Sequence, residues 1–569
     1  MKMQKIYQLP IILYVLFFLV LIVFSSLSIR VVPNGPLSVY DPTIFNLISY
    51  TPSSLWFAVS ALGALFVFIC LCNPQRLPRK LTYASGFAIL LIISVVFYGL
   101  PHLVEPNPRF VDSWIHGENA KVIIEKGNLD PERLPYQGYP SSFIFLSAFS
   151  IVTGVDLASL LVIMPVIFIV LFFSFLTFFA DRLIGNPKLA VISALVYGLS
   201  TFQLAFHFSP EIFGWLFFIL LLAFIAKRIN ENASASFYSS GNFVTILLLL
   251  IGIATTHPVT QFTTILIMLI LLVFGERIWK TKFALSEMRG LVILAAVLFS
   301  AWALFMGHFY FSNVLRSFEA AFSAVMSDLM SSIAAQPIQV YSPPEVANLL
   351  IYKRILYITT LLVSFFGGYF LWKRRRRKSY FLLVLFIASG IAAPLTLIGA
   401  LPLERALKLA FIPLSILSAC LILERRKSGA LILTFILLTI PVNFASLYWN
   451  ELGRKMTFDW ETDSARFIAS NFHGVLLSEF RETGIQNFYG NFSRVYNDYY
   501  LWGKRPDVFN HSFIEEKNIE LVYITQLTIL KESWSGKELD INSFLDSPFF
   551  NCISSNEYSL VLIKNRNGS

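Results

Sequence analysis

Long apolar runs recur along most of the chain, and they constrain its fold more than any other feature. The first, from Leu9 to Ile29, has about 20 residues, the length at which a helix crosses the hydrocarbon core of a bilayer. Of the 569 residues, 56% are hydrophobic and 14% are charged, which excludes an ordinary soluble globule. The sequence therefore predicts a polytopic α-helical membrane protein with about 13 spans. The predicted spans are 9–29, 54–72, 82–101, 157–179, 188–206, 210–226, 243–256, 258–274, 290–310, 355–372, 379–400, 405–423 and 429–448.

Basic residues collect in six of the loops between these runs, and this excess indicates topology rather than nucleic-acid binding. The six loops are 73–80, 181–188, 226–232, 275–289, 372–378 and 424–427. Lys and Arg are retained on the cytoplasmic side, so we expect all six there together with the N-terminus. This requires that the short apolar run 143–152 does not cross, and we interpret it as a half-inserted or re-entrant helix. Loops 102–142 and 311–353 then lie on the opposite face of the cell membrane.

The chain changes character at about Trp449. From there to Ser569 it carries 12 lysines and arginines against 16 acidic residues, and its apolar runs become short. The segments GVLLSEF (474–480), IELVYIT (519–525) and YSLVLIK (558–564) are typical of strands. We predict a small extracytoplasmic α/β domain over 449–569, a main transmembrane module over 82–448, and additional N-terminal spans over 1–81.

The first external loop contains an acid and a histidine at helical spacing. Asp112 and His116 lie four residues apart in VDSWIHGENAKVIIEKG, whose apolar positions predict an amphipathic helix along the membrane surface. The two side chains then face the same way. Taken alone, such a pair is more often an ordinary surface feature than a site.

Three more ionisable residues occur at ends of spans on the same predicted face. His207 and Glu211 stand four apart in AFHFSPEIFGW, and His257 ends a span in ATTHPVTQF. Charged groups and imidazoles there are costly unless they face a cavity or one another. Helix capping and snorkelling are the alternative interpretation of each residue singly.

Two chemistries suit these residues. Asp112 or Glu211 can act as a general base toward an acceptor hydroxyl, with His116 beside it, or the two carboxylates can hold a divalent cation such as Mg²⁺ or Mn²⁺ against a phosphate. His207 or His257 can also donate to a phosphate directly. The cations available on this face are Lys353, Arg354 and Arg405, which begin two of the spans. Ordinary snorkelling also explains cations at such positions.

The arrangement resembles the GT-C superfamily of integral membrane glycosyltransferases. The shared features are the many spans, a first external loop with Asp112 on a juxtamembrane helix, the Tyr139-Pro140 motif that follows, and an external C-terminal domain. That superfamily includes protein O-mannosyltransferases, aminoarabinose transferases and the oligosaccharyltransferase catalytic subunit. The tail contains no WWDYG, which argues against the last of these.

The resemblance implies inverting transfer of a sugar from a polyprenyl-phosphate (for example dolichyl-phosphate) carrier to a protein, lipid or glycan acceptor on the non-cytoplasmic face. Asp112 would be the catalytic base, Tyr139 would line the substrate site and Arg405 would bind the carrier phosphate. Two other hypotheses remain. A multi-pass transporter or lipid-carrier flippase would place polar groups at mid-membrane, and a non-catalytic scaffold would display the tail domain.

Overall fold

The computed structural model describes most of the membrane part and pieces of the tail. The described residues are 14–22, 52–72, 79–104, 107–200 without 109 and 133, 206–230, 240–279, 282–310, 344–392 without 375, 403–438, 459–472, and parts of 474–564. Most of the predicted loop 311–353 and the predicted boundary at 448/449 lie outside these residues. The division of the chain at 81/82 and 448/449 stays a prediction.

Helices account for most of the described chain. They are α1 (14–22), α2 (Ser53–Val67), α3 (Arg79–Ser94), α4 (Leu100–Val104), α5 (Val111–Lys126), α6 (Ser141–Thr153), α7 (Leu157–Ile184), α8 (Pro187–Ser200), α9 (Pro210–Asn230), α10 (Ser240–Thr256), α11 (Pro258–Val273), α12 (Gly275–Ile278), α13 (Lys282–Trp302), α14 (Pro344–Arg374), α15 (Arg376–Ala392), α16 (Leu403–Glu424), α17 (Arg426–Leu438) and α18 (Asp459–Asn471). Short π-helical turns extend α2, α3 and α13, at Phe68–Cys72, Val95–Gly99 and Ala303–Gly307.

Among the described residues, seven helices are long and apolar enough to cross a membrane, by length and composition. They are Ser53–Leu71, Thr82–Gly99, Leu157–Ile184, Pro210–Ile229, Leu285–Tyr310, Ile355–Arg374 and Leu407–Glu424. The chain is therefore an integral membrane protein, as predicted, while the number of 13 spans stays a prediction. The run 143–152 lies in α6, a 13-residue helix about 20 Å long, which is shorter than the hydrocarbon core.

The core of the helical part is built around α7, α8, α9 and α16. α7 packs on α8 and α9, and α16 packs on α8 and α14. A Cβ atom at Gly367 of α14 would overlap the backbone carbonyl of Leu417 in α16, so this glycine lets the two helices approach closely. Serine hydroxyls add polar contacts between helices, with Ser364 Oγ 3.0 Å from Ser418 Oγ. Small side chains thus support packing where apolar burial in lipid contributes little.

The tail contributes a five-stranded mixed sheet. Its strands are β1 (Val475–Leu477), β2 (Arg494–Tyr496), β3 (Leu521–Thr525), β4 (Phe550–Asn556) and β5 (Ser559–Lys564). They lie in the order β2-β1-β3-β5-β4, with β1 parallel to β2 and β3, and β5 antiparallel to β3 and β4. The strands predicted in 474–480, 519–525 and 558–564 are confirmed as β1, β3 and β5.

Several helix ends that lead into predicted basic loops meet at one end of the bundle. Arg374, the last residue of α14, forms two hydrogen bonds of 2.7 Å with Glu424, the last residue of α16. The Lys378 ammonium donates to the Ile184 carbonyl at the end of α7, at 3.1 Å. The candidate site residues described next lie around the starts of α5, α9, α11 and α16.

Candidate active site

Helix α5 carries the first candidate residues, and the helix predicted for this loop is confirmed. Asp112 lies in its first turn, where free backbone N–H groups favour a carboxylate. The helix ends at Gly127, whose φ of 69° is a left-handed conformation that glycine adopts without strain. Trp114 is fully buried and fixes one side of the helix to the bundle. The first turn of α5 therefore holds the Asp112 side chain in a defined position.

Asp112, His116 and His207 come together in the fold. Asp112 Oδ2 lies 3.9 Å from His207 Nε2, and the rings of His116 and His207 stack within 9° of parallel with their centroids 6.3 Å apart. The Asp112 side chain is 58% exposed, whereas that of His207 is 17% exposed. Two imidazoles therefore lie beside a carboxylate that a substrate can reach.

His116 is the most deeply buried member of this group. Its ring packs against Tyr136 and Phe143, with centroids 5.6 and 5.8 Å away. Its Nδ1 atom has no hydrogen-bond partner among the residues that the structure describes. The pKa of His116 is lowered to about 3, chiefly by burial. Asp112 and Glu211 oppose this lowering, and His207 contributes to it. His116 is therefore neutral at physiological pH.

We expect the protein to lose stability on acidification because of His116. The unfolded chain takes up a proton near pH 6.5, roughly the ordinary histidine pKa, but the folded protein does so only near the lowered value. This contribution to the free energy of unfolding is complete above about pH 6.5 and is lost as the pH falls toward the folded pKa. The variant His116→Phe should therefore show a smaller drop in melting temperature between about pH 7 and pH 5 than the wild type.

His308→Phe is the control, because it removes a histidine from an exposed position. It should keep the wild-type pH dependence. An equal drop in melting temperature for wild type and His116→Phe would contradict the account of His116.

Glu211 forms a buried ion pair with a lysine that was not among the predicted site residues. Lys408 Nζ lies 3.2 Å from Glu211 Oε1, with the two side chains 8% and 17% exposed. The Trp215 indole donates to the same carboxylate at 3.4 Å, and the Tyr197 hydroxyl donates to the Lys408 carbonyl at 3.2 Å. The sequence analysis selected Arg405 as the phosphate-binding cation instead. Arg405 and Lys408 are one helical turn apart at the start of the same span, so their spacing does not show which of them reaches the site.

The junction of α10 and α11 packs beside the start of α9. His257 Nδ1 lies 3.2 Å from Thr260 Oγ1, and the His257 Cβ is 3.3 Å from where a Cβ on Gly214 would stand, one turn after Glu211. Tyr139 is buried, and its hydroxyl donates to Gln261 Oε1 at 3.3 Å in the first turn of α11. His257 and Tyr139 thus flank the same end of the bundle as Glu211.

Sequence reasoning also missed two contacts that order this region. The Tyr310 ring lies 5.6 Å from both the Tyr136 and the Tyr139 rings, and His102 Nε2 lies 2.8 Å from the Phe206 carbonyl, directly before His207. No spacing in the sequence connects these residues, because the contacts join distant loops.

For the remaining predicted cations, the structure describes the backbone only. Lys353 and Arg354 lie in α14 and Arg405 lies in α16. Their side chains are outside the described residues, so their roles stay predictions.

The expected divalent cation finds no three-ligand site in the described part of the chain. No three His, Cys, Asp or Glu side chains there are grouped so that they could hold a metal ion. Glu211 is moreover engaged by Lys408. Asp112 and Glu211 thus belong to no three-ligand group among the described residues, and metal dependence stays a prediction.

A segment of the tail packs against the helix that carries Asp112. Phe488 meets Trp114 edge to face at 4.9 Å, and its carbonyl accepts a 2.7 Å hydrogen bond from Lys121. A Cβ on Gly117 would stand 3.0 Å from the Phe488 ring and 2.7 Å from Leu161, so glycine gives the ring its space. Phe488 therefore packs against α5 beside Leu161 of α7, where α5 meets the bundle.

We expect Phe488→Ala to destabilise the protein by about 3–5 kcal/mol, the usual cost of removing a large core side chain, because it loosens α5. Gly117→Val should have a similar effect by displacing the same ring. The melting temperatures of both variants can be measured, with Phe467→Ala as a control because Phe467 is 43% exposed. Unchanged melting temperatures in both variants would contradict this role.

Two solved structures share the fold of this chain. The oligosaccharyltransferase of Archaeoglobus fulgidus, crystallised with a tethered acceptor peptide containing the NVT sequon, superposes with a TM-score of 0.53 at 12% identity, covering 84% of this chain and 74% of that chain. ArnT from Cupriavidus metallidurans in its apo state gives a TM-score of 0.51 at 10% identity, covering 85% of this chain and 99% of that chain. By sequence, the chain matches no protein-family model and no curated protein. The likeness to these two structures confirms the predicted resemblance at the level of the fold.

Proposed function

We propose that this protein is a membrane glycosyltransferase that moves a sugar from a polyprenyl-phosphate carrier to a protein, lipid or glycan acceptor on the non-cytoplasmic face. The observation that carries the proposal is the accessible Asp112 carboxylate 3.9 Å from His207, presented by a loop helix at the ends of the spans. The fold shared with two glycosyltransferases supports it. The cytoplasmic N-terminus and the extracytoplasmic tail domain belong to the same proposal.

Asp112 would act as the general base. The acceptor hydroxyl gives its proton to the Asp112 carboxylate while its oxygen bonds to the anomeric carbon. The bond from that carbon to the phosphate oxygen breaks on the opposite side, and the phosphate keeps the electron pair, so the configuration inverts. His116, with its low pKa, stays neutral and does not compete for the proton.

The carrier phosphate needs cationic partners on the opposite side of the reacting sugar from the base. Among the residues that the structure describes, Lys408 is the best candidate for this role, because its ion pair with Glu211 holds its ammonium beside the start of α9. Arg405, Lys353 and Arg354 remain candidates for direct contact with the phosphate. His207 or His257 would add hydrogen bonds, and Tyr139 would line the sugar site.

The alternative of a transporter or flippase has less support from the placement of charge. The interhelical ion pairs in the described residues are Glu211–Lys408, Arg228–Glu287 and Arg374–Glu424. All lie within two turns of a helix end, whereas transporters place such groups at mid-membrane in broken helices.

One experiment separates these hypotheses. Purified protein in liposomes is given a polyprenyl-phosphate donor carrying a labelled sugar, with peptide, lipid and glycan acceptors, and free polyprenyl phosphate and labelled product are quantified. We expect donor consumption with an inverted anomeric centre in the product. Movement of intact donor between leaflets without its consumption would favour the flippase. A parallel reaction with a chelator tests the prediction of Mg²⁺ or Mn²⁺ dependence.

A further inference from the structure

A cavity of about 540 Å³ opens at the other end of the bundle, where predicted basic loops meet. The ends of α7, α14 and α16, the start of α8 and the π-helical turn after α2 form its walls. The lining residues that matter here are Cys70, Lys188, Leu371, Arg374, Leu423 and Glu424. None of them belongs to the proposed transfer site.

One part of the wall is cationic. Lys188 stands at the start of α8, and Arg374 is held in place by its two 2.7 Å hydrogen bonds to Glu424. The Arg374 side chain is 66% exposed, so its guanidinium reaches the mouth of the cavity. Arg425 lies over the ring of Phe370, another lining residue, at 5.6 Å. The cavity lining thus carries two cations, Lys188 and Arg374, against one carboxylate, Glu424, and Arg425 lies beside a lining residue, which leaves a net positive charge.

Another part of the wall is apolar. Phe370, Leu371 and Leu423 belong to the last turns of α14 and α16, and both helices are long enough to span the membrane. The cavity therefore combines charged groups at the predicted membrane surface with an apolar wall formed by the ends of two spanning helices. An amphiphile with an anionic head and a hydrocarbon chain is complementary to both parts.

We propose that this cavity binds an anionic phospholipid from the leaflet on the basic side. Its phosphate would lie between Lys188 and Arg374, and the beginning of an acyl chain would lie against Leu371 and Leu423. Basic pockets between transmembrane helices on the cytoplasmic side are a general mode of lipid headgroup recognition. The proposal is independent of the transfer reaction.

Native mass spectrometry of the full-length protein in detergent tests it, with titrations of phosphatidylglycerol and phosphatidylcholine. We expect the wild type to prefer phosphatidylglycerol, and Lys188→Gln to bind it about fivefold more weakly. Lys188→Arg should restore binding. Arg377→Gln, which removes an exposed charge one turn from Arg374 and outside the cavity, should stay within about twofold of the wild type.

Three results would overturn the proposal. Equal binding of the two lipids by the wild type would remove the role of headgroup charge. Equal loss in Lys188→Gln and Arg377→Gln would reduce the effect to general surface charge. Displacement of phosphatidylglycerol by soluble glycerol phosphate at matched concentration would show a site for free phosphate rather than for a lipid. The wild-type comparison and Lys188→Arg keep the test valid even if Lys188→Gln fails to fold.

Discussion

Replacing Asp112 by Asn is expected to lower kcat for sugar transfer by about 10²- to 10⁴-fold, the usual contribution of a positioned general base. The amide keeps the size and the position of the carboxylate but accepts no proton. The donor phosphate would lie on the other side of the sugar, so donor affinity should change little. The measurement is a rate at saturating donor, together with donor binding by the variant.

Asp130→Asn is the matched control for this variant. Asp130 lies in the same loop, but its carboxylate is 2.7 Å from Lys126 in a partly exposed ion pair away from His207. Such a pair contributes about 0–1 kcal/mol, so this variant should retain transfer. Full transfer by Asp112→Asn, or equal losses in both variants, would remove Asp112 from the reaction.

Replacing Lys408 by Met should destabilise the protein by about 3–5 kcal/mol, because it leaves the Glu211 carboxylate buried without its cation. The double variant Lys408→Met/Glu211→Leu removes both charges and should recover most of that stability. If Lys408 also serves the carrier phosphate, the double variant should remain inactive although it is stable. Thermal unfolding and transfer rates of both variants separate the two roles.

The Arg374–Glu424 pair provides the contrast. Its arginine side chain is 66% exposed, so Arg374→Gln should change the free energy of unfolding by only about 0–1 kcal/mol. Normal transfer by the double variant Lys408→Met/Glu211→Leu would limit the Glu211–Lys408 pair to a structural role.

The sequence predicted the features that depend on local pattern. The helix at 111–126, the long apolar helices and the strands at 475–477, 521–525 and 559–564 follow from hydrophobic periodicity and residue type. Asp112 and His207 could be grouped because both lie next to spans on one predicted face. Their 3.9 Å contact follows from the fold.

The missed features depend on side-chain packing between distant elements. Nothing local distinguishes Lys408 from Arg405. Only the packing of α9 on α7, of α7 on α8 and of α8 on α16 brings Lys408 to Glu211. Phe488 packs against α5 in the space that the missing side chain of Gly117 leaves, although the two residues are 371 positions apart in the sequence. Such tertiary contacts have no signature in the spacing of a single sequence.

Photochemical labelling tests the location of the transfer site most directly. A polyprenyl phosphate with a photoreactive group on the isoprene unit next to the phosphate is irradiated with the protein in liposomes, and the labelled peptides are mapped. We expect label in the segments 134–143, 206–215 and 403–411, which contain Tyr139, His207 and Lys408. Label confined to the basic end of the bundle, around 185–188 and 370–374, would contradict this expectation.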